Sequence, residues 1–177
     1  MSNLGNLLRE HGEYEEAEAL LQRVKAIWIE SIGADHPDVG DVLNSLAEIR
    51  RASEDHTGAT ELHQQALAIH RAGLPKNHPQ IGHTAIKLAQ VMELAGRADD
   101  ARTEYQLALR ILEKADASHR DGIGRAAYGL GTLDLAVGQR ASARDHFERA
   151  IAEFEAHHDD NESWIARARE GLEAASG

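Results

Sequence analysis

Four leucines recur along this chain at one fixed interval of 42 residues, and most other sequence landmarks keep the same register. They are Leu4, Leu46, Leu88 and Leu130, and each is followed by glycine or alanine. No insertion or deletion is needed to hold the period. A period of this length, kept this strictly, is typical of a stack of like units and not of one closed core. The sequence therefore predicts a repeat architecture.

The composition favours helices over strands and narrows the compartment and the partners. Of the 177 residues 42% are hydrophobic, but only 4% are aromatic, which suits helices packed through small residues. No run approaches 18 apolar residues and no signal peptide is evident, so we expect neither a membrane span nor export. The absence of cysteine agrees with a cytoplasmic location. The net charge of −11 argues against nucleic acid as a partner.

The third unit shows the repeat pattern most clearly. Apolar residues at helical spacing follow one face from Ile81 to Met92 and another from Ala101 to Leu112. Gly96 lies between the two stretches and marks a turn. Each unit is therefore predicted to be a hairpin of a first helix, A, and a second helix, B.

The same pattern, extended along the chain, predicts nine helices in a single domain, 1–177. The A helices are expected at 1–11, 37–53, 79–95 and 120–137, and the B helices at 14–32, 56–73, 98–115 and 140–157. A last helix, 161–175, is expected to cap the end with a polar outer face. The repeats are then 1–35, 36–77, 78–119 and 120–160, with turns at Gly12, Glu54, Gly96 and Gly138. Small residues in one register are expected at the helix contacts, namely Ala17, Ala59, Ala101 and Ala143.

These motifs resemble the tetratricopeptide repeat. The resemblance rests on Leu-Gly or Leu-Ala, a turn glycine and then Glu-Glu-Ala, as in residues 12–17, with Leu21, Tyr105 or Phe147 four residues after the alanine. The 42-residue period is similar to the kinesin-light-chain type of this repeat. The resemblance implies an all-α superhelical solenoid of four antiparallel hairpins plus the capping helix. It also implies that the A helices line a concave groove that binds a peptide or a protein segment.

Transferred to this sequence, the resemblance places the partner-binding groove on A-helix residues that point away from the B helices. The candidates are Asn6, Arg9, Asn44, Glu48, Arg51, Ile86, Lys87, Gln90, Arg125, Tyr128 and Thr132. Amides suit an extended peptide backbone, and the basic residues suit a partner segment that carries acidic residues. The family's chaperone-tail clamp is not predicted, because only scattered members of its Lys, Arg and Asn set are present.

Candidate catalytic and metal-binding patterns have simpler interpretations. His56, His63 and His70 are spaced by seven residues, too far for any two to share an ion, and His63 is expected to pack between helices. The histidines before the junction prolines, His36 and His78, are expected to begin helices. The stretch Gly122–Ala127 imitates a dinucleotide loop, but no strand precedes it.

No Ser–His–Asp set, zinc cluster or cofactor motif is found, so we expect a protein that is not an enzyme, with no catalytic residue, metal or cofactor. Gly129 lies inside a predicted helix where the packing register does not require glycine. It is expected either to admit a partner backbone or only to weaken the helix.

The function that these features favour is a protein–protein interaction module. The alternative is a peptide- or ligand-responsive regulatory domain of a larger bacterial signalling protein, and the remote alternative is an enzyme or enzyme accessory on a helical-repeat scaffold. Neither nucleic acid nor membrane is an expected partner. Leu4, Leu7 and Leu8 lie on a predicted helix that begins in the middle of the repeat pattern, with no capping helix before it. The chain is therefore expected either to be a piece of a longer array or to cover this N-terminal edge by self-association.

Overall fold

The computed structural model describes residues 14–115, 117–156 and 161–177, and all regular structure in these ranges is helical. The α-helices are α1 (Tyr14–Ile32), α2 (Pro37–Ala52), α3 (His56–Gly73), α4 (Pro79–Leu94), α5 (Ala98–Leu112), α6 (Arg120–Ala136), α7 (Arg140–Glu155) and α8 (Glu162–Ser176). A 3-10 turn, Ala117–His119, precedes α6. The all-α prediction of paired helices is confirmed. The predicted helix 1–11 and the turn at Gly12 lie outside the described residues.

Histidine and proline begin two of the A helices. His36 has extended backbone before α2, and its Nδ1 accepts the backbone N–H of Asp38 at 3.2 Å. Before α4, Nδ1 of His78 likewise accepts the backbone N–H of Gln80 at 3.3 Å. The next residue in each case is proline, whose missing N–H costs nothing in a first helical turn. The expectation that both histidines are helix-start residues is therefore confirmed.

The three A-to-B turns in the described part of the chain share one conformation, although only two of them have glycine. Gly96 and Gly138 have φ of 73° and 77°, and Glu54 has φ of 63° at the equivalent position. In each turn the following residue donates its N–H to the carbonyl five residues earlier, as Asp55 does to Arg50 at 2.9 Å. This bond satisfies a carbonyl that the helix end leaves open. Glu54 therefore adopts the left-handed conformation without the freedom of glycine.

The described chain divides into two compact units. Unit 1 contains the described residues up to Lys76 together with Leu94–Gly96, and unit 2 contains Asn77–Glu93 and the described residues from Arg97 to Gly177. The sequence predicts a single domain, and this stays a prediction. None of the helices in the described ranges is long and apolar enough to cross a membrane.

In unit 1, α2 lies against α1 and α3 through an aliphatic core. Val39, Val42, Leu43, Leu46 and Ala66 are its buried members, and Trp28 of α1 packs on their edge. The α1 face is only half-buried, because Ala17 is the sole residue of this helix that is fully enclosed.

In unit 2, α6 is the central helix, since α5, α7 and α8 all pack on it. Four aromatic side chains form its contact with the C-terminal helices. Tyr128 lies between Phe147 and Trp164, with ring centroids 5.8 and 5.5 Å apart, and Trp164 stacks on Phe154 at 5.9 Å. The last helix therefore closes the aromatic core of this unit.

The alanine register was predicted correctly. Ala17 is 3% exposed, and Ala59, Ala101 and Ala143 are fully enclosed. Glycine has a related role on the A helices, where a Cβ at Gly40, Gly82 or Gly124 would lie within 2.8 Å of the side chain thirty residues later. Those side chains are His70, Leu112 and Phe154.

The two interpretations offered for Gly129 were both wrong. A Cβ at this position would lie 2.3 Å from Cζ of Tyr105, so the glycine makes room for that ring. Tyr105 is 2% exposed and comes from α5 of the preceding hairpin. Neither a partner backbone nor simple weakness of the helix explains the residue. The close-packing register alone does not reveal a contact between α5 and α6.

Candidate functional site

The predicted groove residues have different environments in the structure. Asn6 and Arg9 lie outside the described residues. Asn44 and Ile86 are 6% and 4% exposed, so their side chains are not offered to a partner in the way the sequence suggested. The remaining seven, which are half-buried or exposed, are Glu48, Arg51, Lys87, Gln90, Arg125, Tyr128 and Thr132.

In unit 1, a buried histidine of the B helix contacts two of the A-helix candidates. His63 of α3 is fully buried, which confirms that it packs between helices. Its Nδ1 lies 2.9 Å from Oδ1 of Asn44, and its Nε2 lies 3.7 Å from a carboxylate oxygen of Glu48. Glu48 in turn accepts a hydrogen bond from Nε of Arg51 at 2.9 Å. A chain of polar contacts thus runs from the interior to the exposed guanidinium of Arg51.

In unit 2, the candidates of α4 and α6 lie beside residues that the sequence analysis did not select. We call this surface the basic face. It consists of His83 and Lys87 on α4, Arg125 and Tyr128 on α6, and Trp164 and Arg167 on α8.

Trp164 joins two of the cations on the basic face. The guanidinium of Arg125 lies 5.1 Å from the ring centroid of Trp164, and that of Arg167 lies 5.4 Å from it. Both distances are within the range of a cation–π contact. Nε of Arg125 also donates to Asp121 at 3.0 Å. Each guanidinium is therefore held in place with part of its donor set still available.

The basic face carries more positive than negative charge. Asp121 compensates Arg125, whereas neither Lys87 nor Arg167 forms an ion pair within the described residues. Lys87 is half-buried on α4, and its charge is close enough to His83 to disfavour protonation of that imidazole. On a chain of net charge −11, this local excess of positive charge sets the basic face apart.

The repeat period contains a signal for the residues that sequence analysis missed. Asp41, His83, Arg125 and Arg167 are spaced by 42 residues and occupy one register position of successive A helices. Only Arg125 was selected. Arg167 and Trp164 both fall within the predicted capping helix, 161–175, so their place beside Arg125 was not considered.

A second polar cluster surrounds a buried carboxylate at the other end of α6. Asp134 is 1% exposed and accepts hydrogen bonds from Arg102 at 2.5 Å, Ser142 at 2.5 Å and His146 at 2.9 Å. Burial alone would raise the pKa of Asp134, but these hydrogen bonds and the charge of Arg102 lower it below 3.8. The carboxylate is therefore ionised inside the protein at neutral pH.

A serine, a histidine and an aspartate do meet in this cluster, but they are not connected as in a nucleophilic triad. Ser142 and His146 both bond Oδ2 of Asp134. In a nucleophilic triad the serine would bond the imidazole, which would then remove its proton. Here the hydroxyl donates to the carboxylate, so the cluster ties α6 to α7 and does not activate a nucleophile. In the described part of the chain, no group of three or more His, Asp or Glu is placed to hold a metal ion.

Comparisons with known proteins agree with this architecture. A family model described as tetratricopeptide repeat matches residues 1–72 and 77–156. The crystal structure of kinesin light chain TPR-like repeats from Podosopora anserina is 22% identical, covers 98% of this chain and 82% of its own, and gives a TM-score of 0.78. BtubC (BKLC) from P. vanneervenii is 19% identical, with coverages of 99% and 74% and a TM-score of 0.79.

More distant structures share the same helical arrangement. MamA is 13% identical, covers 97% of this chain and 92% of its own, and gives a TM-score of 0.59. At these identities the likeness is one of fold alone. No curated protein matches the chain.

Proposed function

Since the chain belongs to the tetratricopeptide repeat family, we propose that it is a protein–protein interaction module that binds a partner segment on the exposed side of its A helices. Proteins of this family generally mediate protein–protein contacts. The finer assignment concerns unit 2, where the basic face would receive a segment that carries acidic residues. The proposed function requires no catalytic residue and no cofactor.

The observation that carries this proposal is the pair of guanidiniums on Trp164. Arg125 and Arg167 come from different helices, yet both lie within 5.5 Å of one indole ring. Contact with the ring restricts the two side chains, so a partner carboxylate would lose less conformational entropy when it binds them. Lys87 adds a third cation without an ion pair among the described residues. The hydroxyl of Tyr128 and the amide of Gln90 add polar groups that suit a peptide backbone.

Arg51 of unit 1 belongs to the same proposal, but its environment differs. Its guanidinium is bonded to Glu48, with Nη2 2.8 Å from the carboxylate, so its charge is largely compensated. Exposed pairs of this kind are weak and screened by salt. We therefore expect Arg51 to contribute less to an acidic partner than Lys87 or Arg125.

The test is direct binding of a labelled glutamate-rich peptide and of a lysine-rich peptide of the same length, measured by fluorescence anisotropy. The glutamate-rich peptide should bind the full chain, and its affinity should fall between about 50 and 300 mM salt because surface charge is screened. Lys87→Glu combined with Arg125→Glu should reduce this affinity at least about tenfold, the equivalent of about 1.4 kcal/mol. The lysine-rich peptide should not bind the wild-type basic face.

Arg110→Glu provides the matched control, because Arg110 is an exposed cation on the B helix α5. This variant has a charge change of the same kind but should keep the affinity. Circular dichroism of all variants checks that they are folded. If Arg110→Glu weakened the peptide and the basic-face variant did not, the B-helix surface would be the interface and the proposal would be wrong.

A further inference from the structure

The junction before α6 departs from the two earlier junctions in how it uses histidine. His36 and His78 direct Nδ1 at the backbone N–H two residues later. His119 occupies the position immediately before α6, but its side chain makes no such capping bond. Its Nδ1 instead lies 3.2 Å from Nε2 of His83, a residue of α4. The ring nitrogen that caps the helix at the two earlier junctions therefore contacts the preceding A helix at this one.

The contact between the two rings is closely fitted. The ring centroids lie 5.3 Å apart with a tilt of 59° between the planes. Gly122 in the first turn of α6 makes room for the His83 ring, because a Cβ there would lie 2.9 Å from Cε1 of His83. The imidazole of α4 therefore fills a notch that α6 leaves open with a glycine. Leu112 of α5 bounds the same notch.

Positive charge surrounds this pair. Burial and the neighbouring His119 are the main reasons why the pKa of His83 is lowered from 6.5, and Lys87 and Arg125 lower it further. Asp121 opposes them but does not outweigh them. The positive end of the α6 dipole also disfavours a second cation at this position. At neutral pH the His83 ring is therefore uncharged.

We propose that His83 and His119 form a proton-sensitive latch that fixes the first turn of α6, and with it Arg125 of the basic face, against α4. Only the link to partner binding rests on the proposed function. The latch itself is a property of the protein alone.

The chemistry of the N···N contact explains the sensitivity. One imidazole must donate an N–H and the other must accept it with a lone pair. A first added proton can occupy a ring nitrogen outside the contact and leave this hydrogen bond in place. A second proton on the pair places N–H groups on both facing nitrogens, so the bond must break.

The direction of the pH dependence follows from the lowered pKa of His83. The unfolded chain takes up this proton near pH 6.5, whereas the native state takes it up at lower pH. The uncharged His83 ring therefore contributes its full stability above pH 6.5 and loses it as the pH falls below that value, and the N···N bond breaks with the second proton. For each proton that only the unfolded state binds, the equilibrium constant for unfolding rises up to about tenfold for each unit by which the pH falls.

The test follows the histidine ring protons of the full chain by NMR from pH 8 to pH 4.5, without any partner. The His83 signal should titrate below 6.5, and His119→Gln should move its midpoint upward by about half a unit or more. His78→Gln is the matched control, because this ring caps its own helix and should leave the His83 titration unchanged. A His83 midpoint at or above 6.5, or one unaffected by His119→Gln, would overturn the latch.

A second measurement remains informative even if a substitution disturbs the packing of the rings, because it compares how the stability of each protein changes with pH. Denaturant unfolding at pH 7.5 and 5.5 should show a smaller pH effect for the His83→Gln, His119→Gln double variant than for the wild type. An equal pH effect in both proteins would argue against the latch. Neither measurement uses a peptide. A negative result here would therefore refute the latch alone, whereas a lack of peptide binding to the basic face would refute the proposed function.

Discussion

Arg50 and Asp134 occupy the same position of the repeat, two periods apart, and each pairs with an opposite charge 32 residues earlier. Arg50 donates to Glu18, whereas Asp134 accepts from Arg102. The same contact between a B helix and the following A helix therefore occurs twice. In one copy the A helix carries the positive charge, and in the other it carries the negative charge. The intervening copy of this position has Thr60 and Met92. A hairpin shifted by two repeats would bring like charges together at this position.

The two versions of this contact should differ greatly in energy. The side chain of Arg50 is 42% exposed, so solvent screens its pair and Arg50→Ala should cost less than about 1 kcal/mol. Asp134 is buried with three donors, and Asp134→Ala should cost about 3 kcal/mol or more because those donors lose their acceptor. Urea unfolding of both variants measures the difference. Similar losses for both would contradict the role of burial.

Replacing Glu54 by glycine should stabilise the protein. Its φ of 63° strains a residue that has a Cβ, while Gly96 and Gly138 adopt the same conformation without that strain. We expect Glu54→Gly to raise the free energy of unfolding by about 0.5–1 kcal/mol, less a small cost in unfolded-state entropy. Gly96→Ala is the reciprocal change and should lower it. Thermal denaturation followed by circular dichroism would show both shifts, and a destabilised Glu54→Gly variant would refute the strain.

Gly129→Ala should destabilise the protein although alanine is the better helix former. Helix propensity alone would favour the change by about 0.5–1 kcal/mol. The new Cβ would meet the buried Tyr105 ring at 2.3 Å, and overpacking of this kind costs about 1–3 kcal/mol. Chemical denaturation measures the sign. Adding Tyr105→Leu should remove much of the penalty, and a penalty unchanged by that second substitution would place the clash elsewhere.

Glu93→Gln should stabilise the protein at neutral pH. Burial raises the pKa of Glu93 above 4.5, although the hydrogen bond from the Tyr105 hydroxyl, 3.0 Å away, lowers it in part. The native state thus holds its proton to higher pH than the unfolded state, so stability falls as the pH rises from 4.5 through the raised value. Glutamine keeps an acceptor for Tyr105 and removes the buried charge. Unfolding at pH 4 and pH 7 should show the gain at pH 7 and little or none at pH 4.

The helices were predictable from sequence because the cues that define them are local. Proline after His36 and His78, turn residues at fixed intervals and apolar spacing of 3.6 each act within a few positions. The start of α6 was predicted correctly from a degenerate junction. Because the period is constant, the helix boundaries that are clear in the third unit could be predicted for the other units as well.

The candidate site was less predictable because its contacts join residues that are distant in sequence. Asn44 was selected for its polarity and register, but its amide is held by His63 in the interior. Trp164 was taken as part of a cap, and only the structure brings Arg125 and Arg167 to its ring. A register position constrains where a Cβ lies, but not whether a neighbour nineteen or thirty-nine residues away has taken the side chain.

The glycine notches of the A helices have a consequence for how such repeats diverge. Gly40, Gly82 and Gly124 each accept a side chain from the next B helix, and the three occupants are an imidazole, an isobutyl group and a phenyl ring. The notch thus tolerates exchange of its occupant more readily than a change in the length of chain that connects them. One inserted residue would rotate the occupant by about 100° around its helix and leave the notch empty. Duplicated copies are therefore free to vary in chemistry while their length stays fixed, and substituting Phe or Leu for His70 offers an engineer a way to vary one repeat without disturbing its period.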